Sequence, residues 1–134
     1  MLGVNPYIAY KGNCREAIDF YKSALDAEVV FVQTVGQSPM ANMGPPENIM
    51  HCTIKVGGST IMMCDDPSPD GAAAGGNISL AIGLNDPALA KKLFDNLAEG
   101  GSVIMPLTKT FWAEAFGMLT DKFGVKWMVN SDAH

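Results

Sequence analysis

One pattern in this chain is written twice, and it constrains the fold more than any single residue does. In NPYIAY (residues 5–10), Pro6, Ile8 and Tyr10 fall on one side and Asn5, Tyr7 and Ala9 on the other, the period of a half-buried strand. From Cys14 the period lengthens. Ala17, Ile18, Tyr21, Ala24 and Leu25 form a helical stripe, and Asn13 with Glu16 three residues on has the form of a capping box. EVVFVQTV is β-branched and aromatic, and HCTIKV and STIMMCD flank Gly57 and Gly58 as a hairpin. The order then returns. NISLAIGL sets Ile78, Leu80, Ile82 and Leu84 against Asn77, Ser79, Ala81 and Gly83. Asp86 caps and Pro87 opens a helix carrying Ala90, Leu93, Phe94 and Leu97. SVIMPLT, EAFGMLTD and VKWMVN follow, with Gly124 of DKFG placed for a positive φ. Even the helices align, Ala17 on Ala90 and Tyr21 on Phe94. A repeat of about seventy residues in two copies is no solenoid, so it predicts a duplicated module.

The expected fold is therefore α+β, with βαβββ modules at residues 5–66 and 77–131 in one domain spanning 1–134. The Gly-, Pro- and Ala-rich stretch 67–76 is expected to link them. With 48% hydrophobic and 17% charged residues the chain reads as ordered and globular. A net charge of −5 without a basic run argues against phosphate-backbone binding, hence against a nucleic-acid partner. No apolar run approaches the roughly 18 residues of a membrane span, and MLGVNPYIAY lacks a basic and apolar leader. A cytoplasmic protein with no membrane partner is expected. Cys14, Cys52 and Cys64 are odd in number and form no CxxC pair, which reads as three reduced thiols.

PYIAYKGNCREAIDFYKSAL, MHCTIKVGGSTIMMCDD and VIMPLTKTFWAEAFGMLTDKFGVKWMVN, together with the paired modules, resemble the vicinal oxygen chelate superfamily. That is the fold of glyoxalase I, bleomycin-resistance proteins and extradiol dioxygenases, and the likeness is to its PhnB-like branch. Some members of that branch carry the label 3-demethylubiquinone methyltransferase. This chain has no Gly-rich strand-to-helix turn able to hold an adenosyl cofactor, and no cofactor is expected. The resemblance implies curled mixed sheets around a cavity, helices on the outer face, and a homodimer in which a second copy completes the cover.

The resemblance also implies four metal positions, one per cavity-lining strand. The first, a His in metal-using members, falls on Asn5. The second, a Glu, falls on Asp65 or Asp66. The third, a His, falls on Ser79, and the fourth, a Glu, on Met128. Hard and borderline divalent ions need carboxylate oxygen or imidazole nitrogen, whereas thioether sulfur suits Cu(I). No metal site of the family's kind is expected.

His51 lies opposite in parity to the apolar row Met50, Cys52, Ile54 and Val56, so it is either a hydrogen-bonded structural residue or a general base. A two-residue hairpin loop would set it opposite Cys64, and a three-residue loop opposite Asp65. Glu114 is a second candidate base. Asn5, Tyr7, Thr53, Ser79, Trp112, Phe116, Met118, Met128 and Asn130 are the candidate ligand contacts, the aromatics being equally suited to core packing. Met40 and Met43, in a long apolar loop, suggest a lid or an arm reaching a second subunit. The functional expectation is a small organic molecule bound without a metal. The alternative is an isomerase or lyase step, metal-independent before metal-dependent, with His51 or Glu114 as base.

Overall fold

The computed structural model describes residues 3–38, 45–65, 78–110 and 112–132. The chain divides into two compact units, Met1–Ala73 and Ala74–His134. The first contains β1 (Tyr7–Tyr10), α1 (Cys14–Leu25), β2 (Glu28–Thr34), β3 (Ile49–Val56) and β4 (Ser59–Asp65). The second contains β5 (Leu80–Leu84), α2 (Pro87–Ala98), β6 (Ser102–Thr108), β7 (Ala113–Thr120) and β8 (Lys126–Asp132). Strand order is β1-β4-β3-β2 in one and β5-β8-β7-β6 in the other, so both are four-stranded mixed sheets of one topology. In each, the opening strand runs parallel to the last and the remaining pairs are antiparallel.

Each sheet has one face filled by its own helix. Ile18, Tyr21 and Leu25 of α1 are buried, as are Cys52, Ile54, Ile61 and Met63 on the strands beneath. In the second unit Ala90, Phe94 and Leu97 are buried, with Ala113, Ala115, Leu119, Trp127 and Val129. Gly117 completes that surface by having no side chain. A Cβ there would stand 2.7 Å from the Phe94 ring and 2.9 Å from the Leu107 Cα, so the ring lies against bare backbone. Alternation then leaves residues of opposite parity on a second face that no helix of the same unit covers among the described residues.

Two buried carboxylates hold the connections. Helix α1 begins at the expected residue, but Asn13 makes no side-chain capping bond. The Cys14 N–H instead donates to Asp65 Oδ1 at 2.9 Å, and the Ile49 N–H donates to Oδ2 at 2.8 Å. Asp65 is 8% exposed, and from the end of β4 it caps a helix 51 residues away while anchoring the start of β3. In the second unit Asp86 caps α2 as expected, its carboxylate accepting from Leu89 N–H at 3.2 Å. There the buried carboxylate closes the last hairpin. Asp121 Oδ1 accepts from the Phe123 and Val125 N–H groups, and Oδ2 accepts from Trp127 Nε1–H at 2.9 Å. Gly124 takes φ 87° in that turn, where a side chain would be strained.

After β2, Thr34 and Gln37 form a reciprocal capping box around the single 3₁₀ turn Val35–Gln37. Met40, Met43 and the linker 67–76 lie outside the described residues. Among those described, no helix is long and apolar enough to cross a membrane.

Candidate functional site

The hairpin register decides what surrounds His51. Val56 pairs with Ser59, and the ladder continues through Lys55–Thr60, Ile54–Ile61, Thr53–Met62 and Cys52–Met63. This is the two-residue loop, with Gly57 at φ 57° in the turn. The same register carried one step outward sets His51 opposite Cys64. The His51–Asp65 pairing of the longer loop is not formed. Asp65 falls on the helix side with Met63 and Ile61, and each of its oxygens already accepts a backbone N–H.

His51 thus stands on the uncovered face of the first sheet. Gln33 pairs with it from β2, Phe31 pairs with Thr53, Tyr7 pairs with Met62, and Ala9 pairs with Cys64. Two cross-strand rows result, Phe31–Thr53–Met62–Tyr7 and Gln33–His51–Cys64–Ala9. The Tyr7 phenol reaches from β1 across β4, bringing Oη to 3.2 Å from His51 Nδ1. On the other side His51 Nε2 lies 3.1 Å from Thr53 Oγ1. The Tyr7 and Phe31 rings flank the imidazole, with centroids 5.6 and 6.0 Å away.

The arrangement has a definite chemistry. A neutral imidazole has one donor and one acceptor nitrogen, and a hydroxyl can serve either. Tyr7–His51–Thr53 is therefore a continuous chain that either tautomer satisfies. Protonation turns both nitrogens into donors, and both hydroxyl oxygens can accept, so the ring keeps its orientation in each charge state. Burial raises the Tyr7 pKa, and Cys64, hydrogen-bonded to the phenol, raises it further. Tyr7 accordingly remains a neutral phenol at physiological pH, able to donate to a ligand or to the ring.

The three cysteines form no disulfide and occupy different environments. Burial pushes the Cys52 thiol up to about 11, an effect that Arg15 partly offsets. Cys14 is also raised, by burial first and then by Asp65. Both lie on the helix side, whereas Cys64 is half-buried beside Tyr7 on the open face. A thiol whose pKa is raised carries less reactive thiolate at a given pH. At pH 8 a disulfide reagent should modify one thiol per native chain rapidly, with Cys14 and Cys52 reacting on unfolding. Replacing Cys64 by serine should remove the fast phase, and a fast phase that survives would contradict this placement.

The second sheet gathers a different set of candidates. Phe116 pairs with Asn130 and Met118 with Met128, while Asn130 pairs with Gly83 and Met128 with Ala81. These side chains are half-buried on the uncovered face, opposite in parity to Ala115, Gly117 and Leu119. Trp112 precedes β7, about half exposed, and meets Phe116 edge-on at 5.3 Å. Glu114 is exposed, at a break in the β7–β8 register between Ala113 and Ala115. Asn130 Nδ2 donates to Asp132 Oδ1 at 3.0 Å. Asn5 is exposed ahead of β1 and Ser79 half-buried ahead of β5.

The structure thus groups Tyr7, His51 and Thr53 on one sheet, and Trp112, Phe116, Met118, Met128 and Asn130 on the other. Phe31 and Gln33 were not legible beforehand. Register shifts between Val29 and Phe31, and between Gln33 and Thr34, prevent simple counting from β3 to β2.

The shared topology also revises the second metal position. Met128 pairs with Ala81, two residues after Ser79. The corresponding partner of Tyr7, two residues after Asn5, is Met62. Asp65 matches Ser131 instead, a fully buried hydroxyl with no hydrogen-bond partner among the described residues. The positions therefore hold Asn5, Met62, Ser79 and Met128, with Asp66 outside the described residues. None of those four side chains carries a charge, and the set does not fit a hard or borderline divalent ion. Among the described residues no group of three or more His, Cys, Asp or Glu offers another site.

Comparison with known proteins agrees with this architecture. Residues 3–129 match the family model of the Glyoxalase/Bleomycin resistance protein/Dioxygenase superfamily. Protein YjdN of Escherichia coli (strain K12) is 36% identical, covering 95% of this chain and 93% of that protein. The crystal structure of protein PA1353 from Pseudomonas aeruginosa is 40% identical, with TM-score 0.85 and 98% of both chains covered. A Bacillus cereus structure described as a putative 3-demethylubiquinone-9 3-methyltransferase, PhnB protein, shares the fold with TM-score 0.84 at 24% identity, covering 97% of this chain and 99% of that one.

Proposed function

We propose, for a chain that belongs to the glyoxalase, bleomycin resistance protein and dioxygenase superfamily, that the uncovered face of the first sheet binds a small organic molecule without a divalent metal. The observation that carries this reading is the Tyr7–His51–Thr53 chain between the Tyr7 and Phe31 rings. Apolar walls with a few oriented polar groups are the common make-up of a small-molecule site. His51 and Tyr7 offer donor and acceptor capacity, and Phe31 and Tyr7 offer ring faces. Phe116, Met118, Met128, Asn130 and Trp112, at the second sheet, are candidate contacts for a ligand of their own.

A second reading rests on the same chain. His51 can take a proton at one nitrogen while its other nitrogen remains hydrogen-bonded, which is the requirement for acid–base work in a metal-independent isomerisation or lyase step. A cytoplasmic homodimer completes the proposal. Its support is the exposure of Val30 and Phe31 on β2, an edge strand of the first sheet.

The test is a thermal-shift screen of small aromatic and carbonyl compounds in chelator and in divalent-ion buffer, with turnover assays on every hit. Hits should bind equally in both buffers, and His51→Ala should weaken them by about tenfold or more, the effect of losing one well-formed polar contact. Unchanged affinity in His51→Ala would remove the proposal. Turnover that His51→Ala abolishes would favour the acid–base reading over simple binding.

A further inference from the structure

The second sheet carries three methionines side by side, and the mismatch with hard ions gives them meaning. Met118 on β7 pairs directly with Met105 on β6 and with Met128 on β8. Directly opposed residues project to the same side of a sheet. The β7 neighbours of Met118, Gly117 and Leu119, are buried on the α2 side, so the methionine row lies on the uncovered face. All three methionines are half-buried, so none is sealed in the core beneath α2.

We propose that Met105, Met118 and Met128 form a thioether site for a soft monovalent cation, Cu(I). Adjacent strands are about 4.8 Å apart, and methionine has three rotatable side-chain bonds, so two outer sulfurs can lean over the middle one to share an ion. Neutral thioethers bind Cu(I) and its redox-inert analogue Ag(I), and bind Zn, Mn or Mg poorly. The row ends at Ala81, opposite Met128, whose methyl group occupies little of the space beside that sulfur. Phe116, two residues from Met118, adds a ring on the same face that attracts a cation. Lys126, paired with Thr120 one row away, opposes a divalent ion more strongly than a monovalent one. The site uses no residue of the His51 face, so the two proposals stand or fall separately.

The experiment is an anaerobic titration of the full chain with Cu(I) against the chromophoric chelator bathocuproine disulfonate. It is carried out in the Cys64→Ser background to remove the accessible thiol. One Cu(I) per chain should be withheld from the chelator. Met118→Leu, which keeps size and apolarity, should weaken retention about tenfold or more on the loss of one of three ligands. Met62→Leu, on the first sheet, should leave it unchanged. Carbon-labelled methionine methyl resonances should shift with Ag(I) at positions 105, 118 and 128 together. No retained Cu(I), equal loss in Met62→Leu and Met118→Leu, or methyl shifts confined to other methionines would each overturn the proposal.

Discussion

Asp65→Ala should lower the unfolding free energy by about 4 kcal/mol, because two charge-assisted hydrogen bonds disappear and two N–H groups lose their partner. Urea denaturation of the full chain measures it. The carboxylate joins α1 to β3 from the end of β4, so its loss loosens three elements together. Asparagine should rescue little. Both oxygens of Asp65 accept from N–H groups, and either orientation of an amide sets its own NH₂ against one of them. Asn13→Ala should cost less than about 0.5 kcal/mol, since Asn13 makes no side-chain cap. A mild effect at Asp65 paired with a large one at Asn13 would reverse the account of how this helix begins.

Asp121→Ala should cost about 3 kcal/mol by the same measurement. The carboxylate is 3% exposed and accepts three hydrogen bonds, one of them from the buried Trp127 indole. The loss is expected to be smaller than at Asp65. Phe123 and Val125 are half-buried, so water can reach their N–H groups, and the turn keeps its Asp121 N–H to Val125 carbonyl bond. Trp127 fluorescence separates the cases: its indole loses its acceptor in the variant, and its emission should change before global unfolding. An unaltered spectrum and stability would show that DKFGVKW is held by packing alone.

Both carboxylates mark the limit of what sequence pattern reveals. Helix α1 and strand β4 were legible to the residue, because stripe and alternation are local. The cap of α1 was not, because Asn13 and Glu16 have the right spacing while the acceptor comes from Asp65, a residue distant in sequence. The same pattern left Asp65 open as a partner for His51. Settling that required the hairpin register, which one residue of loop length changes. The 78–84 alternation holds through Leu80–Leu84, but Ile78 is largely exposed ahead of the strand. Met50 was grouped with Cys52, Ile54 and Val56. The register shift between Gln33 and Thr34 instead pairs Thr34 with Ile49, which is fully buried. The ligand face was half legible. Tyr7, His51 and Thr53 follow from parity alone, whereas Phe31 and Gln33 depend on a strand interrupted by two register shifts.

The proposed site recognises its ligand by side chains in place of a chelated divalent ion. Asn5, Ser79 and Met128 stand where the resemblance places three of the ligands, and Met62 where the shared strand register moves the second from Asp65, and these four supply no charge to replace the hydration of a hard cation. Elemental analysis by mass spectrometry of the full chain, purified without an affinity tag or added metal, tests this directly. The predicted result is far less than one zinc, manganese, nickel or iron per chain, with a melting temperature that chelator does not change. About one such ion per chain, lost with chelator together with stability, would contradict it.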